Sequence, residues 1–285
     1  MKRVIIFTDL DGTLLDYDTY SFEKALPALR LLKERDIPLI VCSSKTAKEI
    51  KYYREKLENV HPFISENGGG IFIPKDYFNF EIRNSHLRES PEATKFEIIE
   101  ENNYLVIRLG APYSDLRKTL EELRREGFIV RGFGDMTVQE IAEIANMSII
   151  EAEMAKERDF DEPFTFEGND KDTRRLFEAI AERGFHCTKG QFFHVLGDTD
   201  KGKSVSILID SYAKAFGEVT TIALGDSPND ITMLERVKYP IIVQRPDKTY
   251  GVSGDIPNLR KIDGIGSAGW NKAIIELLSE IGGEH

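Results

Sequence analysis

Apolar positions along this chain fall into short unbroken runs separated by amphipathic stretches. Val4–Phe7 is a continuous apolar run with β-branched residues, the pattern of a strand buried on both faces. Ala25, Leu26, Leu29 and Leu32 then recur at helical spacing, and Pro27 suits a first turn, so a helix is predicted from about Leu26 to Arg35. Ile37–Cys42 reads as a second strand and Ala47–Leu57 as a second helix. Phe63–Ile64 is a short third strand, ended by Glu66, Asn67 and three glycines. Strands alternating with helices at this spacing predict an α/β fold with a doubly wound parallel sheet.

The middle of the chain has a different rhythm. Glu97–Arg108 is strand-like, Tyr113–Gly127 helical and Phe128–Arg131 strand-like. Thr137–Ala145, Ser148–Arg158 and Asp170–Gly184 read as helices, Pro163–Phe166 and Phe185–Leu196 as strands. This is an α+β pattern. The first rhythm then resumes, with a helix at Lys203–Tyr212, a strand at Val219–Leu224, a helix at Pro228–Arg236 and a strand at Ile241–Val243. The expected organisation is one α/β core from residues 1–82 and 195–285, interrupted by an inserted α+β domain at 83–194. The tail from Gly282 to His285 reads as loose.

Composition narrows the function. The chain has 285 residues, 31% of them charged, and a net charge of −11. That balance argues against nucleic acid as a partner, and an anionic substrate would need a local metal or basic cluster. No apolar run is long enough to span a membrane, and no signal peptide is expected, since Met1-Lys2-Arg3 and the strand-like run after it offer no h-region or cleavage site. Two cysteines, Cys42 and Cys187, fit a reducing compartment, so a cytoplasmic location is expected. The charge-rich, cysteine-poor composition is compatible with a thermophile.

In open parallel sheets, ligands bind beyond the carboxyl ends of the strands. Four polar clusters fall at such ends: Asp9/Asp11, Ser43–Lys45, Glu66–Gly70 and Gly225–Asp230. Asp9 and Asp11 are two apart and share a side of an extended segment. Asp11-Gly12 also reads as a hairpin turn, but a buried parallel strand has no use for one. Two close carboxylates repel unless a cation lies between them, and Mg²⁺ suits such a site. Asp226 sits where a further acidic ligand would complete it. Asp230 either reaches the metal through water or holds a lysine. Ser227 and Pro228 read as a helix start. Ser43 is either a phosphate-holding hydroxyl or a plain helix cap. Lys201 and Lys203 are equal candidates for neutralising a phosphate.

Asp9-Leu10-Asp11-Gly12-Thr13, Ser43, Lys201 and Gly225-Asp226-Ser227-Pro228-Asn229-Asp230 together resemble, in order, the four motifs of the haloacid dehalogenase superfamily of phosphatases. The insertion between the second and third motifs resembles its sugar-phosphatase branch, where it forms a cap domain that carries specificity. The resemblance favours Lys201 over Lys203. It implies that Asp9 attacks phosphorus and forms an aspartyl-phosphate, and that Asp11 acts as acid and then base. It also implies that Mg²⁺ is held by the Asp9 and Asp226 carboxylates and the Asp11 backbone carbonyl, while Ser43 and Lys201 hold phosphoryl oxygens.

Ser44–Thr46, Glu66–Gly70, Gly134–Thr137, Lys156–Phe164 and Lys189-Gly190 further resemble the mannosyl-3-phosphoglycerate phosphatase family. The implied substrate is a phosphorylated sugar-glycerate, and the implied product mannosylglycerate, a compatible solute of thermophiles. Lys45, Arg158 and Lys189 are then candidate basic contacts, and Glu162 a candidate acceptor for sugar hydroxyls. Asn67, Gly68, Gly69 and Asn229 are further candidates to line the substrate. From the residues alone, Glu66–Gly70 reads equally as a flexible loop. Gln191 stands where some family members have a second glycine, which removes support for backbone contacts there. Competing readings are a broader sugar-phosphate phosphatase acting on glucosyl-3-phosphoglycerate or hexose phosphates, a phosphohexomutase, and a catalytically silent binding protein. A silent binder has no need of the intact Asp9, Asp11, Lys201 and Asp226 set. The insert is expected to close over the substrate.

Overall fold

A computed structural model describes residues 3–78, 96–252 and 255–282. The first strand, β1 (Arg3–Thr8), is followed by α1 (Leu26–Glu34), β2 (Leu39–Cys42), α2 (Ala47–Lys56), β3 (Phe63–Ser65) and β4 (Gly70–Pro74). A hairpin comes next, β5 (Glu97–Glu101) and β6 (Tyr104–Arg108). The middle of the chain forms α3 (Tyr113–Arg125), β7 (Ile129–Gly132), α4 (Val138–Ala145), α5 (Ile149–Ala155), β8 (Asp161–Glu167), α6 (Asp170–Glu182), β9 (His186–Lys189) and β10 (Phe193–Leu196). The chain then returns through α7 (Lys201–Phe216), β11 (Val219–Gly225), the single turn α8 (Ile231–Leu234), β12 (Tyr239–Gln244), β13 (Arg260–Ile265) and α9 (Gly266–Gly282).

Nine strands form one sheet in the order β13-β12-β11-β1-β2-β3-β4-β6-β5. The six from β13 to β3 run parallel, as the alternating rhythm predicts. The three beyond β3 are antiparallel. Alternation along β1 explains the double winding. Ile6 faces one core cluster with Ala28, Ile50 and Trp270, and Ile5 and Phe7 face the other with Val205, Leu208 and Tyr212. A strand apolar on both faces has helices to cover each. Phe63 and Phe72 stack across β3 and β4 with centroids 4.7 Å apart, a contact worth about 1 kcal/mol beyond the area it buries.

A second, four-stranded antiparallel sheet has the order β7-β8-β10-β9. Leu116, Leu120, Leu176 and Ile180 of α3 and α6 cover it and close a separate core around Phe164 and Val195. The hairpin at Glu97–Arg108, which lies in the segment expected to form the insert, is hydrogen-bonded to β4 and belongs to the larger sheet. It is split into two strands at Asn102, which has a left-handed φ of 51°. The expected boundary at residues 82 and 83, like the end of the tail at 283–285, lies outside the described residues. Sequence patterning passed over β4, β13 and α9 altogether. Among the described residues, no helix is long and apolar enough to cross a membrane.

Candidate active site

Three adjacent parallel strands end side by side and set the site. Thr8 of β1 is in register with Leu224 of β11 and Val41 of β2. Asp9, Asp226 and Ser43 each follow at these ends, and the Asp9 N–H donates to the Leu224 carbonyl at 3.0 Å. Asp9, Asp226 and Asp230 are buried, with carboxylate oxygens within 4.8 Å of one another. The donors are all hard oxygens, a set that suits a divalent cation such as Mg²⁺.

Lys201, the first residue of α7, is fully buried and joins two of them. Its Nζ lies 2.8 Å from Asp9 Oδ1 and 2.7 Å from Asp230 Oδ1. Lys203 instead turns outward to Asp198 at 2.6 Å. Position on the first turn of α7 therefore separates the two lysines that the sequence left equal. The other oxygen of Asp230 accepts from the N–H groups of Asp226 and Ser227, both at 3.0 Å. Asp230 thus holds the lysine and the turn after β11.

The electrostatics follow from burial. Desolvation pushes the Asp9 carboxyl well up, against the pull of Lys201, and the neighbouring aspartates push the same way. Asp226 is pushed up to about 6 by burial and by Asp230, opposed by Tyr17, Arg245 and Lys201. Carboxylates crowded in this way gain from a cation. Around Asp226, Tyr17 Oη donates to Oδ2 at 3.0 Å, Thr13 Oγ1 lies 3.3 Å from Oδ1, and Arg245 Nε donates to the backbone carbonyl at 3.0 Å. Gly12, with φ 75°, has no room for a side chain, because a Cβ would lie 2.4 Å from the Tyr17 ring.

Asp11 is arranged differently. Its Oδ2 pairs with Lys45 Nζ at 3.2 Å, and its buried Oδ1 has no hydrogen-bond partner in the protein. Desolvation raises its carboxyl, with Lys45 pulling it back and Glu49 pushing with burial. The Asp11 carboxylate is not among the three that cluster. Ser43 is fully buried and is not a helix cap. Thr46 takes that place, its hydroxyl accepting from the Glu49 N–H, while the Glu49 carboxylate accepts from the Thr46 N–H. Lys45 is buried, with its ammonium 5.2 Å from the Tyr20 ring.

Glu66–Gly70 is a rigid junction. Glu66, Asn67 and Gly68 all take positive φ. The Glu66 side chain accepts the N–H groups of Asp159, Phe160 and Asp161, three consecutive donors from the insert at 2.8–3.1 Å. Burial pushes this carboxyl up to about 8, while the Arg158 charge and the backbone donors pull it back. Asn67 Oδ1 accepts from Asn229 Nδ2 at 3.1 Å, and Asn67 Nδ2 donates to Asp161 Oδ2 at 2.9 Å. Asp161 also meets His194 Nδ1 at 2.9 Å. Burial pushes the Asp161 carboxyl up, but His194, Arg158 and Asn67 outweigh it and hold it below the usual range. The Gly68 carbonyl accepts from Thr199 Oγ1 and Ser204 Oγ, and a Cβ there would lie 2.2 Å from the Asp200 carbonyl. Gly69 sits equally close against Phe160.

Asp9, Asp11, Ser43, Lys45, Asn67, Gly68, Gly69, Arg158, Lys201, Asp226, Asn229 and Asp230 therefore gather at one end of the large sheet. Arg158 reaches it from the insert through Nη1 to the Ser44 carbonyl at 2.9 Å. Two candidates stay with the second sheet. Glu162 is fully buried among Arg117, Tyr113 and the Gly134 N–H. Lys189 is exposed at the end of β9, its ammonium over the Phe193 ring. Sequence reasoning quoted Thr13 in a motif without giving it a role, and missed Tyr17, Glu49, Asp161, His194 and Arg245. The Thr46-x-x-Glu49 pattern was the available signal for Glu49. The others meet the site only through tertiary contacts.

Similarity to known proteins follows the same lines. The family model for haloacid dehalogenase-like hydrolases matches residues 6–249. A glucosyl-3-phosphoglycerate/mannosyl-3-phosphoglycerate phosphatase of Methanococcoides burtonii is 46% identical over 278 residues, 97% of both chains. A mannosyl-3-phosphoglycerate phosphatase of Pyrococcus furiosus is 35% identical over 84% of this chain and 90% of its own. The sucrose-phosphatase of Synechocystis, solved with sucrose and phosphate, shares the fold with a TM-score of 0.60 at 13% identity, over 99% of both chains.

Proposed function

This chain belongs to the haloacid dehalogenase-like hydrolases and is a phosphoric monoester hydrolase, and we propose that it removes the phosphate of mannosyl-3-phosphoglycerate, and of its glucosyl counterpart, to leave the glycosylglycerate. The carrying observation is likeness along nearly the whole of both chains to a relative named for both substrates. The implied role is the last step in making a compatible solute.

Asp9 attacks phosphorus, the bond to the glycerate oxygen breaks, and an aspartyl-phosphate forms. Asp11 gives a proton to the departing oxygen, then takes one from the water that hydrolyses the intermediate. Its free Oδ1 and raised carboxyl support that role. Lys201 and Ser43 hold the phosphoryl oxygens, work done by positioning and charge. The 2.8 Å contact of Lys201 with Asp9 supports this placement. Mg²⁺ supplies screening between two anions when bound. The Asp9 and Asp226 carboxylates and the Asp11 backbone carbonyl would hold it, and Asp230 fixes Lys201. Lys45 and Arg158 meet the glycerate carboxylate, while Asn67, Gly68, Gly69 and Asn229 shape the floor.

The test is a phosphate-release panel with Mg²⁺ and with chelator, over both glycosyl-3-phosphoglycerates, mannose phosphates and 3-phosphoglycerate. Metal-dependent release from the two glycosyl-phosphoglycerates in preference to the rest is expected. Equal rates on simple hexose phosphates would reject the assignment, and phosphate transfer without release would point to a mutase.

A further inference from the structure

Glu49 takes no part in the steps above, yet its side chain is only 3% exposed. Its place in the capping box of α2 does not account for that, since a glutamate can cap a helix from the surface. The same carboxylate meets two cations from distant parts of the chain. Lys45 Nζ lies 3.3 Å from Oε1, and Arg158 Nη2 lies 4.0 Å from Oε2. Both cations are buried, with side-chain exposures of 8% and 6%. Two buried like charges repel, and each left unpaired costs several kcal/mol. A carboxylate between them removes both penalties and fixes where each points.

Backbone contacts settle the direction of approach. Arg158 donates from Nε to the Ala155 carbonyl at 2.9 Å and from Nη1 to the Ser44 carbonyl at 2.9 Å. Thr46 Oγ1 also donates to the Met154 carbonyl of the insert at 3.0 Å. The first turn of α2 is thus where residues 154–158 dock. Lys45 lies beside Asp11, which puts the paired cations next to the phosphoryl site. Glu49 is the carboxylate the two cations share, while Lys45 also meets Asp11 at 3.2 Å.

We propose that Glu49 is a positioning residue that draws Lys45 of the core and Arg158 of the insert into one two-cation receptor for the substrate's carboxylate, so that this carboxylate is recognised only when the insert is docked. The proposal rests on the phosphoglycerate reading above.

The test is steady-state kinetics with Mg²⁺ on mannosyl-3-phosphoglycerate and on the analogue whose carboxylate is reduced to CH₂OH. In E49Q, glutamine keeps both ends of the capping box. KM for the carboxylate substrate is expected to rise about tenfold, the loss of one charged hydrogen-bond partner, with kcat nearly unchanged and KM for the neutral analogue unmoved. R158Q, which leaves the start of α2 intact, should show the same selectivity. Equal KM rises on both substrates in E49Q, or no rise at all, would overturn the role of Glu49. A wild-type enzyme that does not distinguish the two substrates would instead overturn the phosphoglycerate reading.

Discussion

Asp9 and Asp11 lie two residues apart and face opposite demands. In the proposed mechanism one must stay ionised against a phosphate, and the other must hold a proton. Each has a lysine, Lys201 on Asp9 and Lys45 beside Asp11, and what sets them apart is the buried Oδ1 of Asp11, which no protein group meets. Asp9→Asn is expected to lower phosphate release by at least about a thousandfold while leaving the fold intact by circular dichroism. Asp226 makes a second prediction. Its carboxyl is raised from 3.8 to about 6, so the folded protein holds a proton that the unfolded chain releases. Without metal, stability should therefore fall as pH rises across that window. A cation competes with that proton, so apparent Mg²⁺ affinity should climb as pH rises through the range in which Asp226 ionises. Melting temperatures across pH, with Mg²⁺ or with chelator, check both. The aspartates were legible because strand-end carboxylates have few structural uses. From the residues alone the choice between Lys201 and Lys203 was not, since two residues of helical rotation decide it.

At the scale of elements, the junction at Glu66–Gly70 joins the large sheet to the insert. Its three donors converge on one carboxylate oxygen, and Gln at position 66 puts an NH₂ donor where the other oxygen faces the Asp159 N–H. Glu66→Gln should cost about 2 kcal/mol in chemical denaturation. Gly68→Ala should cost as much or more, because φ of 95° and the Asp200 carbonyl leave a methyl group no relaxed position. The sequence could be read as a flexible loop there because glycine-rich runs encode permissiveness. What makes the run rigid is the set of partners at Asp159–Asp161 and Ser204, far away in the chain. The same reason hid the allegiance of Glu97–Arg108. Its strand pattern was visible, but which sheet it joins depends on β4, whose five residues carry little periodicity.

On the scale of the whole molecule, the alternating rhythm at both ends of the chain made the α/β core readable, and the break in rhythm made the insert readable. Patterning could not show how the two meet, because that depends on buried polar groups such as Glu49, Glu66 and Asp161. Docking predicts an observable. The amides of Asp159, Phe160 and Asp161 should exchange hydrogen slowly, and more slowly still with Mg²⁺ and orthovanadate bound. Protection unchanged by those ligands would argue against closure of the insert as part of turnover.

The register of the central strand has one more consequence, for how the chain is made. Arg3 pairs with Val219, so β1 leaves the ribosome long before its neighbour β11 exists. Until then one edge of an apolar strand is unpaired, while the insert, with its own core, can already be complete. Asp226 and Asp230 arrive last. A nascent or truncated chain therefore has Asp9 without its acidic companions, and the three-aspartate cluster forms only once the sheet closes around β1.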